Sequence, residues 1–225
     1  LLAESLLDAD VNYIFHGCGG GTNRFFDAFV TRPDFKNFLG TNEGQCVAMA
    51  EGYHIASGGE LGMVIVPRPG LPNAAGNILN AMAHRSSVLV LTARETNEYS
   101  NRRGNIELVE WEEVLNPFMK WSYKMEHIER VPEFTRRAIK VANAPLGGPT
   151  FLGFAEDLYV TEGTATVMPQ RMHEVQGIVV VATNLASPRR KRLHRLISAC
   201  SMNFWRAARS SQKPGGGSKP GASPL

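Results

Sequence analysis

Apolar positions along this chain follow two alternating periods. Residues 11–15 (VNYIF) form a short β-prone run, followed by the glycine-rich stretch GCGGGTN at 17–23 and by RFFDAFV, which reads as a helix. Residues 38–40 read as a second short strand. They lead into NEGQCVAMAEGYHIASGG at 42–59, a helix of small side chains that closes on a glycine pair. LGMVIV (61–66) and SVLVLT (87–92) are nearly continuous apolar runs, as expected of strands buried on both faces. Between them lie the turn RPGLP and the helical stretch NAAGNILNAMAH. Residues 94–117 are polar and less regular, and read as a long loop with some helix. VPEFTRRAIKVAN (131–143) puts Phe134, Ala138, Ile139 and Ala142 on one helical face, and Gly148-Pro149 introduces the strand TFLGF. Strands alternating with helices predict an α/β fold, a doubly wound parallel sheet with helices on both faces.

Past residue 160 the pattern fades. Residues 161–186 read as a linker or the truncated start of a further domain, with GIVVVA (177–182) as one more strand. Residues 187–225 form a basic tail rich in Gly, Pro and Ser, expected to be disordered. The net charge of +3 conceals this division. The first 176 residues hold 15 basic and 21 acidic groups, whereas the rest hold nine basic and no acidic ones. The segment PRRKRLHR suits phosphate contacts, but it lacks interleaved aromatic residues, so a solvated extension is expected rather than a nucleic-acid site. No run of about 18 apolar residues predicts a membrane span. Cys18, Cys46 and Cys200 show neither a disulfide framework nor zinc spacing, which suits a reducing cytoplasm. With no starting Met and no leader pattern, the chain is expected to begin inside a longer reading frame.

Candidate chemistry narrows quickly. The loop GCGGGT has Thr22 where a dinucleotide fingerprint carries Gly or Ala, and no Gly-Lys-Ser/Thr of a P-loop is present. A tight turn beside a binding crevice is the better reading, because glycine lets the backbone bend sharply and a ligand approach closely. The six histidines are dispersed without metal spacing, and no Gly-x-Ser-x-Gly elbow occurs. Cys46 reads as a buried packing thiol. Asn42 is a suitable N-cap, which puts Glu43 in the first turn of its helix. That segment alone leaves two roles open for Glu43: a carboxylate that complements the helix dipole, or a group that does chemistry.

A resemblance favours the second. Glu43 followed by VAMAEGYHIASG, the turn Pro69-Gly70-Leu71-Pro72-Asn73, the run VLVLTA, MKWSY at 119–123 and GGPTFLGFAEDL at 147–158 occur in this order. Over residues 1–160 the chain resembles the N-terminal pyrimidine-binding domain of thiamine-diphosphate enzymes of the acetolactate synthase and benzoylformate decarboxylase group. The resemblance implies that Glu43 hydrogen-bonds N1′ of the cofactor's aminopyrimidine, favouring the tautomer that takes the proton from C2 of the thiazolium. It implies that Pro69 and Asn73 line the pyrimidine site and that 2-oxo acids are the substrates. Mg²⁺ would be held, with the diphosphate, by a domain absent from this chain. Active sites of this group lie between subunits, which implies a homo-oligomer or pairing with a full-length family member. The isolated chain is then expected to be inactive.

The chain also departs from the family's pattern. Asn42 stands where His or Gln is usual, Cys18 falls near a proline position, Glu107 at a glutamine position, and Val66 where the decarboxylases carry histidine. MKWSY leans towards the decarboxylase branch, but these positions support neither branch. The shift to a tail rich in Arg, Ser, Gly and Pro suggests a change of frame, a natural truncation or a separately encoded subunit. A non-catalytic interaction protein that keeps the fold is the alternative function.

Overall fold

The fold is a six-stranded sheet, all of whose pairings are parallel, in a computed structural model that describes residues 1–169 except Cys18, Asn101 and residues 103–110. The strands are β1 (Tyr13–His16), β2 (Lys36–Leu39), β3 (Gly62–Ile65), β4 (Val88–Arg94), β5 (Trp121–Met125) and β6 (Thr150–Ala155), in the order β2-β1-β3-β4-β6-β5. The helices are α1 (Leu2–Asp8), α2 (Asn23–Val30), α3 (Glu43–Ser57), α4 (Leu71–Ala83), α5 (Trp111–Leu115) and α6 (Val131–Asn143).

Strand order fixes the layers. The connection from β1 to β2 runs one way along the sheet, and those from β2 to β3 and β3 to β4 run the other way. Right-handed crossovers therefore put α2 on one face, and α3 and α4 on the opposite one. Alternate strand residues feed two separate cores. Ile14, Met63, Ile65, Leu89 and Leu91 pack with α1, α2 and α6. Phe15, Val64, Val66, Val88 and Val90 pack with α3 and α4. Every residue of β3, β4 and β6 is buried, the double-sided burial that their continuous apolar runs predict. The predicted face of α6, from Phe134 through Ala142, is buried as expected.

Two elements lie outside the sequence expectation. Edge strand β5 carries period-two alternation, with Trp121, Tyr123 and Met125 turned to the α6 core and Ser122 and Lys124 between them. The rings of Trp121 and Tyr123 stack on Phe134. Just before β5, Lys120 Nζ donates to the carbonyls of Val141 and Ala144 at 2.5 and 3.1 Å, closing the C-terminus of α6. The other element, α1, is two turns that bury Ala3, Ser5 and Leu6. A segment this short has too few apolar repeats to signal a helix by itself. Residues 94–117 run from the end of β4 through a loop with a turn at 97–100 to α5 and the start of a 3-10 turn, apart from the undescribed positions. GIVVVA and the basic tail lie outside the described residues. Among the described residues no helix is long and apolar enough to cross a membrane.

Candidate functional site

The loops after β1 and β3 leave the sheet towards opposite faces, so a crevice opens between the carboxyl ends of these neighbouring strands. The N-terminus of α3 points into it. Asn42 is extended, and its Oδ1 accepts from the Gly44 amide at 2.8 Å, which caps the helix and makes Glu43 its first residue. Gln45 Oε1 adds a second tie, accepting from the Thr41 amide at 3.1 Å and its hydroxyl at 2.9 Å. Asn42→Ala is therefore expected to cost about 1 kcal/mol, read as a shift in the urea unfolding midpoint with an unchanged slope.

Glu43 is half-buried and held from three sides. Asn73, on the first turn of α4, donates from Nδ2 to Glu43 Oε2 at 3.4 Å. Gly17, just past β1, faces the Glu43 side chain, for a Cβ there would lie 3.5 Å from Cγ. Gly70 closes the third side more tightly, because a Cβ on it would stand 2.2 Å from Glu43 Cγ and 2.6 Å from Oε1. Pro69 sits in the same 3-10 turn, Arg68–Gly70, but its ring is exposed at the rim. Of the three residues singled out from sequence, the fold joins Glu43 and Asn73 directly and places Pro69 one residue from the contact. Gly17 and Gly70 escaped notice, although the glycine-rich loop and the Pro-Gly pair carry the signal.

Several small or buried residues surround this carboxyl. Cys46 is fully buried, Gly44 packs against Asn73 and Asn77 of α4, and Val66 is buried in the core. Cys18 and Glu107, the other two positions that depart from the family pattern, lie outside the described residues. Thr22 closes the glycine loop as a tight turn, its Oγ1 donating to the Gly19 carbonyl at 2.9 Å. Further along the carboxyl edge, buried Arg68 donates to Glu95 at 2.5 Å and to Glu156 at 3.0 Å, tying the ends of β3, β4 and β6 together. A separate cavity of about 470 Å³ lies between α1 and α2, lined by Phe25, Phe29 and Phe154. None of the residues that frame Glu43 lines it. Among the described residues no group of three or more His, Cys, Asp or Glu side chains is arranged to hold a metal ion.

His16, at the end of β1, packs its ring on Phe26 of α2 at 4.5 Å and keeps Nδ1 buried without a hydrogen-bond partner. Burial lowers its pKa below the ordinary 6.5, because a charged ring would lose its hydration there. The unfolded chain then binds the proton more tightly than the folded one. The resulting stability is present above pH 6.5 and is lost as pH falls below it, through the lowered folded value. His16→Phe is expected to flatten this decline, checked by urea midpoints at pH 7.5 and at about pH 5.5.

Comparison with known proteins identifies the family. Residues 1–113 match the family described as thiamine pyrophosphate enzyme, N-terminal TPP binding domain. The chain is 26% identical to benzoylformate decarboxylase of Pseudomonas aeruginosa over 162 residues, 72% of this chain and 31% of that protein. It is 28% identical to the acetolactate synthase large subunit of Haemophilus influenzae over 160 residues, 70% of this chain and 27% of that one. The chain thus spans less than a third of the length of either relative. Among solved structures, benzoylformate decarboxylase from Polynucleobacter necessarius superposes with a TM-score of 0.69 at 24% identity, covering 74% of this chain and 31% of that one. The Rhodococcus jostii 4-hydroxybenzoylformate decarboxylase gives 0.67 at 24% identity, covering 76% and 32%. At that identity the likeness establishes a shared fold.

Proposed function

The chain belongs to the thiamine pyrophosphate enzymes, matched in their N-terminal TPP-binding domain, and on that premise we propose that it supplies the aminopyrimidine half of a thiamine-diphosphate site acting on 2-oxo acids. One observation carries the reading: the carboxyl of Glu43 stands at a helix N-terminus in the crevice at the switch point of the sheet. Glycines flank its side chain on two sides, and Asn73 steadies Oε2. These residues fit the pyrimidine end of the cofactor. When bound, thiamine diphosphate supplies the electron sink that lets a 2-oxo acid lose carbon dioxide or join a second carbonyl compound.

The chain's own part is proton handling and orientation. Glu43 would hold the proton for the aminopyrimidine nitrogen, and the α3 N-terminus sets the height of the carboxyl in the crevice. Gly17 and Gly70 leave the Glu43 side chain room against the backbone on either side. Diphosphate and Mg²⁺ belong, in this reading, to another domain or subunit, which would supply oxygen ligands. In this reading residues 1–160 are the pyrimidine domain and 161–186 a linker or the beginning of a further domain. Both decarboxylation and carboligation fit this half of the site, in keeping with the two kinds of relative.

A charge-free helical layer beside the crevice supports pairing. The exposed positions of α3 and α4 include Ala48, Gly52, Ile55, Gly76 and Leu79, with no Asp, Glu, Lys or Arg among them. Such a face suits docking of a second copy or of a full-length relative. The isolated chain is expected to release no carbon dioxide from pyruvate or benzoylformate; detectable release would overturn the half-site reading. The alternative, a non-catalytic interaction protein, rests on the same helical face. It would move ahead if a full-length relative co-purified with the chain and the pair's turnover were unchanged by Glu43→Gln.

A further inference from the structure

Glycine at position 70 needs an explanation. Its backbone sits at φ −83° and ψ −14°, an ordinary right-handed conformation open to any residue. Nothing in the turn therefore requires glycine for conformational freedom. A Cβ there would nevertheless stand 2.2, 2.5 and 2.6 Å from Cγ, Cδ and Oε1 of Glu43. Real Cβ atoms do not approach other atoms so closely. The collision involves the middle of the glutamate side chain as well as its tip, so rotating the carboxyl group alone does not relieve it. On the other sides Gly17 and the Asn73 amide limit where the carboxyl can go.

We propose that Gly70 is a positioning residue, glycine because the Glu43 side chain occupies the space that a Cβ would fill. The missing side chain lets Glu43 lie along the turn after β3 with its carboxyl in the crevice. Any larger residue at 70 would push it towards solvent or against Gly17. Calling Glu43 the working carboxyl rests on the proposed function; the steric coupling does not, and it is measurable in the chain without cofactor.

The test is a double-mutant cycle in urea on Gly70→Ala and Glu43→Ala, with Gly76→Ala as control. A Cβ at Gly76 meets nothing within 4 Å. With Glu43 present, Gly70→Ala is expected to lower the folding equilibrium constant about tenfold or more through overpacking. In the Glu43→Ala background the sign should reverse, to a gain of about two- to fivefold, because alanine restricts the unfolded chain and fits the native φ and ψ. Gly76→Ala should have the same effect in both backgrounds. A second readout follows the Glu43 carboxyl itself: its side-chain carboxyl ¹³C resonance at pH 7 should move in Gly70→Ala and stay put in Gly76→Ala. Equal effects of Gly70→Ala in the two backgrounds, or an unmoved resonance, would overturn the proposal. Neither result bears on whether Glu43 is catalytic, which is read from turnover of the assembled enzyme.

Discussion

Glu43→Gln is expected to slow cofactor-dependent turnover of a 2-oxo acid by about 10²–10⁴-fold, the usual contribution of a positioned acid or base. Glutamine keeps the shape of the side chain and an oxygen that can accept from Asn73, so the crevice should keep its form. What it loses is a proton that a carboxyl could give to a bound ring nitrogen. Folding should change little, by about 0.3–1 kcal/mol, the worth of a carboxylate at a helix N-terminus. The measurement pairs this chain with the partner that supplies the diphosphate site and follows hydrogen exchange at C2 of bound thiamine diphosphate by NMR. Urea unfolding of the variant runs alongside. A catalytic carboxyl separates the two readouts, with exchange collapsing while stability holds. If exchange persists at the wild-type rate and only the urea midpoint shifts, Glu43 is a dipole partner of α3 and nothing more.

Gly62→Ala is expected to be the most damaging single methyl group in the core, costing about 3 kcal/mol or more. Gly62 opens β3, and a Cβ on it would stand 2.2 Å from the carbonyl oxygen of Ala50 and 2.7 Å from its carbonyl carbon. The obstacle is helix backbone, which cannot rotate aside as a side chain can. Ala50 is fully buried on α3, which packs against both the sheet and α4, so relief requires the whole helix to lift. Lifting α3 would also move Glu43, which ties this packing contact to the site. Chemical denaturation gives the stability loss. Gly52→Ala, on the same helix where a Cβ meets nothing within 4 Å, should instead stabilise by up to about 1 kcal/mol through helix propensity. A mild effect at Gly62 would mean that α3 sits on the sheet more loosely than the structure has it.

Much of this protein is legible along the chain, for a physical reason. Strands buried on both faces must be apolar at successive positions, so LGMVIV and SVLVLT announce β3 and β4 without any knowledge of their neighbours. Helix signals are local too. Asn42 caps α3 through a bond to Gly44 two residues away, and Gly58, at φ 84°, ends it in the left-handed conformation that glycine tolerates. The ordered motifs from Glu43 to Leu158 carry the resemblance to the family, and with it the expectation for Glu43. Edge strand β5 was harder to see because half-buried alternation over five residues is a weak signal, and α1 because two turns hold too few repeats.

Only the tertiary structure could assemble the site. Glu43 and Asn73 lie 30 residues apart, and Gly17 and Gly70 are separated by two helices and two strands. The parallel crossovers bring all four to one crevice. Sequence identifies Gly70 as a turn residue, but its ordinary φ and ψ show that the turn does not need it. What needs it is a side chain from another helix. Local propensity is written in neighbouring residues; steric exclusion between distant ones exists only once the sheet has brought them together.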